Sequence, residues 1–303
     1  MIETPRQPGR FDVAGALTST LGMALLVYAF IRAAASGWGD GLAAAAFGLA
    51  VVLLAAFLLT ETRARQPITP LRLFADVSRS GSYAARLLLV AGMFGMFFFL
   101  TQFLQDILGF SPLRAGIAFL PMTIMLFGVS RVVPRLMALA RPKTLMIAGM
   151  VPVIAGMAWL SRVSPGTGYW TGVIGPMVLL GAGMGAVFVP LTTASLAGVR
   201  PEDSGAASSM VNVMQQVGGA LGLAVLVAVF GTAYGNAIRH PLAGAAPAQQ
   251  ARNALAHGMS TAFLLAAIFD AVALLVIAAL IRTRAPVTPP PQATEAEEEA
   301  LAA

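Results

Sequence analysis

SYAARLLLVAGMFGMFFFLTQFLQDILGFSPLRAGIAFLP, from Ser82 to Pro121, is the stretch whose reading decides the fold class. Leu87 to Leu104 within it is a run of 18 residues without a charge, long enough to cross a hydrocarbon core of ~30 Å as a helix. Phe94, Phe98, Gln102 and Gln105 stand at i, i+4, i+8 and i+11, so two rings and two amides share one helix face. An amide near the end of a membrane helix needs a partner helix or water rather than lipid. The stripe therefore reads either as helix packing or as the lining of a cavity. A short polar break follows, Asp106 to Arg114, and Ser111-Pro112 restarts a helix with proline in its first turn.

The composition around this stretch agrees with a membrane chain. Of 303 residues, 58% are hydrophobic and only 11% charged, where a soluble domain carries about 25% charged residues. Mean hydropathy is +0.81. The fold class expected is an all-α integral membrane protein. The net charge of +6 raises the question of nucleic acid, but the basic residues sit in short loops between apolar runs, where they set orientation and meet anionic head groups. No nucleic-acid motif is present, and the lipid bilayer is the expected surroundings. The absence of cysteine excludes disulfides, thiolate nucleophiles and cysteine metal sites. With only His240 and His257, a histidine-rich metal or catalytic centre is not expected either. The amino terminus, MIETPRQPGRFDVAG, lacks the form of a cleaved signal peptide.

Eight apolar spans are predicted, at about 13–34, 41–60, 83–105, 113–134, 144–161, 171–194, 207–231 and 259–281. They divide the chain into an amino-terminal segment (1–12), a two-helix hairpin (13–60), a basic linker (61–82), a six-helix bundle (83–281) and a tail (282–303) that is Pro-rich, then acidic, and reads as disordered. Residues 232–258 read as a polar, alanine-rich loop. With the amino terminus cytoplasmic, 14 of the 19 basic residues fall on the cytoplasmic side and 5 on the other, so both termini are expected in the cytoplasm.

Four further constellations stand out. In the sixth span, Gly181 and Gly185 have the small-xxx-small spacing that brings helix backbones together, and Pro190 removes a helical hydrogen bond. These residues serve either static packing or a helix that rocks during transport. In the seventh span, Asn212 and Gln216 share a face with Gln215 beside them, suited to interhelical bonding or to substrate contact. Asp270 lies near the middle of the last span, where a charged Asp costs roughly 2.5–3.5 kcal/mol on insertion scales. It is a candidate for proton binding, or else an acid bonded to a neighbouring helix. Arg131, inside the fourth span, either snorkels to the head groups or pairs with an acid. Arg135, Arg141 and Lys143, in the basic turn that follows, either enforce topology or hold a gate. No phosphate-binding Gly-Lys-Ser/Thr loop occurs, and no nucleophile and base stand at helical spacing, so neither an ATP-driven pump nor an enzyme is expected.

FFFLTQFLQDILGFSPLRAGIAFLP, followed by GAGMGAVFVPLTTASLAGVRPEDSGAASSMVNVMQQVGGALGLAV, resembles the carboxyl-terminal half of the major facilitator superfamily. The likeness is to the fourteen-span drug:proton antiporter branch of multidrug efflux proteins, and it covers about Arg10 to Arg282. It implies that spans one and two correspond to the central helix pair of those proteins and spans three to eight to their second six-helix bundle. It also implies a cavity lined by spans three and six, which places Phe94, Phe98, Gln102 and Gln105 with Phe188 at candidate lining positions. The family's amino-terminal bundle has no counterpart here. The turn from Arg135 to Lys143 resembles a degenerate copy of the family's loop signature, with Arg141 where glycine is usual. Proton-coupling acids in the family usually lie in the absent half, so Asp270 stands as a local hypothesis.

The function this implies is part of a proton-coupled efflux antiporter for drugs or other amphipathic small molecules, energised by the proton gradient without a cofactor or metal. Such a protein confers drug resistance from the inner (plasma) membrane. The cavity is then completed by the rest of a longer parent, by a partner half or by a second copy. The alternative is a non-transporting membrane subunit or truncated fragment that binds a partner bundle.

Overall fold

The computed structural model describes residues 12–63, 70–240 and 246–282. The amino-terminal segment up to 11 and the tail from 283 on lie outside the described residues, as do 64–69 of the linker and 241–245 of the loop. The described chain is helical throughout, and eight of its helices are long and apolar enough to cross a membrane.

Capping side chains set where these helices start. Asp12 accepts from the backbone N–H of Gly15 at 2.8 Å and opens α1 (Val13–Ser36). Asp40 accepts from the N–H of Ala43 at 2.9 Å and opens α2 (Gly41–Arg63). After a 3-10 turn, Leu71–Phe74, Asp76 accepts from the N–H of Arg79 at 2.7 Å and opens α3 (Val77–Gln102). An acceptor at this position satisfies one of the orphan donors of the first turn. Helices therefore enter the stretch 61–82, read as linker, from both ends. Alpha-helical pairing in α3 gives way to a π turn at Phe103–Ile107, closed at Gly109, whose φ of 69° belongs to the left-handed region.

The fourth span is broken in two. Ser111 and Pro112 start α4 (Pro112–Ala118), and α5 (Leu120–Leu139) follows after Phe119. Then come α6 (Pro142–Leu160), the short α7 (Tyr169–Gly172), α8 (Ile174–Leu196), a 3-10 turn at Pro201–Asp203, α9 (Ser204–Arg239) and α10 (Pro247–Leu280). The loop read over 232–258 is thus mostly helix. Alanine and glutamine are good helix formers, and the helices continue after hydropathy has fallen.

Six spans make one bundle. α3 packs on α8, α9 and α10; α8 packs on α5 and α6; α10 closes the ring against α6 and α9. Backbones approach through glycine, as helices in lipid do. A Cβ on Gly218 would overlap the Leu87 carbonyl, and one on Gly222 would overlap Ala91, which sets the α3–α9 distance. Gly149 of α6 and Gly183 of α8 face each other in the same manner. Between the helices lies a methionine- and phenylalanine-rich core that includes Met96, Met150, Met184, Phe99 and Phe263. The α1–α2 hairpin attaches outside the bundle through α1 and α9, where Gly231 lies against the Ala34 carbonyl and the Trp38 indole donates to Thr232 Oγ1 at 3.3 Å.

Candidate functional site

α3 carries the site. Its face towards α9, α8 and α10 is buried, and the remaining face presents Phe94, Phe97 and Phe98, 37–41% exposed. Phe97 departs from the i+4 pattern of the predicted stripe, yet it belongs to this open face and lies 5.4 Å from Phe119, centroid to centroid. Phe98 sets its edge on Phe99 at 5.1 Å, which joins the open face to the core. Gln102 is half-buried at the end of α3, and Gln105 is half-buried within the π turn.

Flanking α3 on one side is α9, where Asn212 and Gln216 are exposed. The two open faces meet at Gly219, since a Cβ there would lie 3.0 Å from the ring of Phe94. On the other side, α8 brings Phe188, half-buried, beneath the guanidinium of Arg86 at 5.7 Å from the ring centroid. Arg86 also donates to Thr192 Oγ1 at 2.5 Å. By sequence Arg86 is one of the 14 basic residues on the cytoplasmic side that set orientation. Its signal was its place one residue before the uncharged run, and its 3% exposure comes from the packing of α8.

Asp270 stands apart from the open face. It is fully buried on α10, behind α3, and neither carboxyl oxygen has a hydrogen-bond partner. A Cβ on Gly92 would lie 3.1 and 3.3 Å from those oxygens. Gly92 and Phe94 are two residues apart on α3 and therefore point to nearly opposite sides.

The glycine and proline positions of α8 are interior. Gly181 faces the Met122 backbone and Gly185 lies 2.6 Å, as a Cβ, from the Leu126 carbonyl, so both set the α5–α8 contact. Pro190 is buried within the continuous helix α8. Of the basic turn, Arg131, Arg135 and Arg141 are exposed, while Lys143 Nζ donates to the Ala278 carbonyl at 2.7 Å near the end of α10. The same end holds a paired contact, Arg72 to Asp203 at 2.6 and 2.9 Å, which ties the 3-10 turn before α3 to the start of α9. The donation of Arg72 to Asp203, with the charge of that carboxylate, raises the Arg72 guanidinium above its ordinary value. Two cavities lie elsewhere: one of about 310 Å³ between Trp159, Arg162 and Thr171, and one of about 550 Å³ along α1 at Met23 and Tyr28.

Eight apolar spans joined by glycine-mediated helix contacts make the described chain a polytopic helical membrane bundle. The family model of the Major Facilitator Superfamily matches residues 9–223, and the chain belongs to that family. It is 41% identical over 220 residues to puromycin resistance protein pur8 of Streptomyces alboniger, a match covering 72% of this chain and 44% of that protein. It is 37% identical over 225 residues to cephamycin export protein CmcT of Amycolatopsis lactamdurans, covering 74% and 46%. To multidrug efflux pump LfrA of Mycolicibacterium smegmatis it is 31% identical over 242 residues, covering 80% and 47%. The chain thus spans less than half the length of these relatives.

Proposed function

We propose that this chain supplies the second bundle, with the central helix pair, of a proton-coupled exporter of amphipathic small molecules. The single observation that carries this reading is the open face of α3, where Phe94, Phe97 and Phe98 are exposed and Phe94 meets α9 at Gly219, one turn from Gln216. An apolar, aromatic face with a few amides suits amphipathic compounds of many shapes. The names of the relatives, which speak of resistance, export and efflux, support the same reading. In it the exposed face of α3 and α9 meets a second six-helix bundle and the two enclose the cavity, with both termini of the chain in the cytoplasm.

Asp270 is the proton site in this proposal. A carboxyl without a donor or a counter-charge, held where α10 meets α3, has a hydration that depends on how those two helices pack. Proton coupling requires such a group.

The test is uptake of a fluorescent cationic dye into inverted vesicles energised by a proton gradient, with insertion of the chain verified. We expect gradient-dependent transport that Asp270→Asn abolishes and that Phe98→Ala and Gln102→Ala alter for some dyes and not others. Well-inserted protein that transports no dye, alone or expressed with an amino-terminal bundle of the family, would leave only the role of a non-transporting subunit.

A further inference from the structure

Arg86 differs from every other basic residue described at its end of the bundle. Arg131, Arg135, Arg141 and Arg200 are exposed. Arg79 is buried and its Nε also lacks a partner, but its two terminal nitrogens donate to the carbonyl oxygens of Leu73 and Ala197 at 3.4 and 3.1 Å. Arg86 is 3% exposed, its Nε has no partner, and it donates to one neutral hydroxyl, that of Thr192. Among the described residues the ion pairs are Arg32–Asp40, Arg72–Asp203 and Arg200–Glu202, so none includes Arg86.

A lone cation between membrane helices is costly, and it is kept where a counter-charge arrives. The surroundings describe what that counter-charge is attached to. Thr192 gives its own proton to the Phe188 carbonyl at 2.8 Å, so its oxygen holds one N–H of the guanidinium and leaves the rest of the fork unclaimed. One face of the fork lies over the Phe188 ring. Thr192 is one turn from the end of α8, and Leu87 opens the uncharged run of α3. Arg86 therefore marks the basic end of the α3–α8 seam, with rings deeper in. A planar guanidinium fork matches a carboxylate through two parallel hydrogen bonds, which a point charge such as lysine does not reproduce.

We propose that Arg86 binds the carboxylate of the exported molecule while Phe188 and the rings of α3 take its apolar body. The substrates of the site then include amphipathic anions. This inference rests on the export reading given above and names the substrate class for it.

The experiment uses two probes with one aromatic body and opposite charge, 1-pyrenebutyrate and a pyrenebutyl-trimethylammonium, titrated by fluorescence against the purified full chain. Wild-type protein is expected to prefer the carboxylate by at least tenfold. Arg86→Gln is expected to weaken that probe by ~10- to 100-fold, the range of a charge-assisted hydrogen bond or pair, and to leave the cation unchanged or tighter. Arg86→Lys keeps the charge and should recover part of the loss. A folded Arg86→Gln protein with unchanged affinity for the carboxylate, or with equal loss for both probes, overturns the proposal. If Arg86→Gln does not fold, the wild-type preference decides: a tenfold preference for the carboxylate supports the proposal, and none overturns it. Wild-type protein that binds the cation but not the carboxylate overturns this inference and leaves the export reading standing. Protein that binds neither probe, alone or expressed with an amino-terminal bundle of the family, overturns this inference, while the dye-transport test above decides the export reading.

Discussion

The carboxyl of Asp270 on α10 packs against Gly92 on α3: a Cβ there would lie 3.1 and 3.3 Å from the two oxygens, so a methyl group requires the carboxyl to give by a few tenths of an ångström. Gly92→Ala should therefore destabilise the bundle by up to about 1 kcal/mol, the crowding of the buried carboxyl being partly offset by the better helix propensity of alanine. Adding Asp270→Ala to Gly92→Ala should return part of that loss, because the second change removes the atoms the methyl meets. Thermal unfolding of the four proteins in detergent reads this cycle, and strictly additive losses would mean that the two residues do not touch.

The α3–α9 distance is set by Gly218 and Gly222 rather than by side chains. Gly222→Leu should drive Ala91 away and lower the unfolding temperature sharply. Ala220→Leu, on the exposed side of the same helix, should leave it nearly unchanged. Equal effects of the two substitutions would contradict the close approach.

The chain contains no cysteine, so single introduced thiols report sidedness without background. Ser164 and Leu139 are exposed at opposite ends of the bundle, after α6 and at the end of α5. With both termini cytoplasmic, Ser164→Cys should react with a membrane-impermeant maleimide in intact cells, and Leu139→Cys only after lysis. The reverse pattern would invert the orientation.

The turn between α1 and α2 should lose stability in acid. Arg32 donates to the Asp40 carboxyl at 2.9 and 3.2 Å, and Ala43 adds its backbone N–H. The Arg32 hydrogen bond, with those of the backbone, holds the Asp40 carboxyl below its ordinary value. A depressed carboxyl contributes stability that is complete above its unfolded value of ~3.9 and is lost as pH falls through the folded one. Unfolding temperatures measured from pH 7 down to pH 3 should show an acid decline in the wild type that is smaller in Asp40→Asn.

The eight spans were legible because a run without charge, long enough for a bilayer, has few other uses. Their ends were less so. Asp76 caps α3 six residues before Ser82, and α9 runs on to Arg239, because helical hydrogen bonding does not stop where the apolar run does. At the site, Asp270 was legible as an acid in an apolar span, but its direction, towards Gly92 and away from Phe94, comes from the α3–α10 packing. Phe97 and Arg86 were passed over for related reasons. A stripe counted at i+4 omits a neighbour that shares the open side. An arginine at the edge of an uncharged run looks like an orientation signal until the helix that covers it is in place.

The π turn at Phe103–Ile107 has a mechanical meaning of its own. It holds one residue more than an α turn would, and the helix end beyond it is fastened: Arg252 of α10 donates to the Ile107 carbonyl at 3.0 Å. Releasing that residue into the bend at Gly109 would turn the body of α3 against its fastened end by ~100°, the rotation of one helical residue. The backbone would remain paired on both sides of the joint. That rotation is opposed by the contacts of α3 with Gly218, Gly222 and Asp270, so the extra residue is held in reserve at the fastened end of the helix.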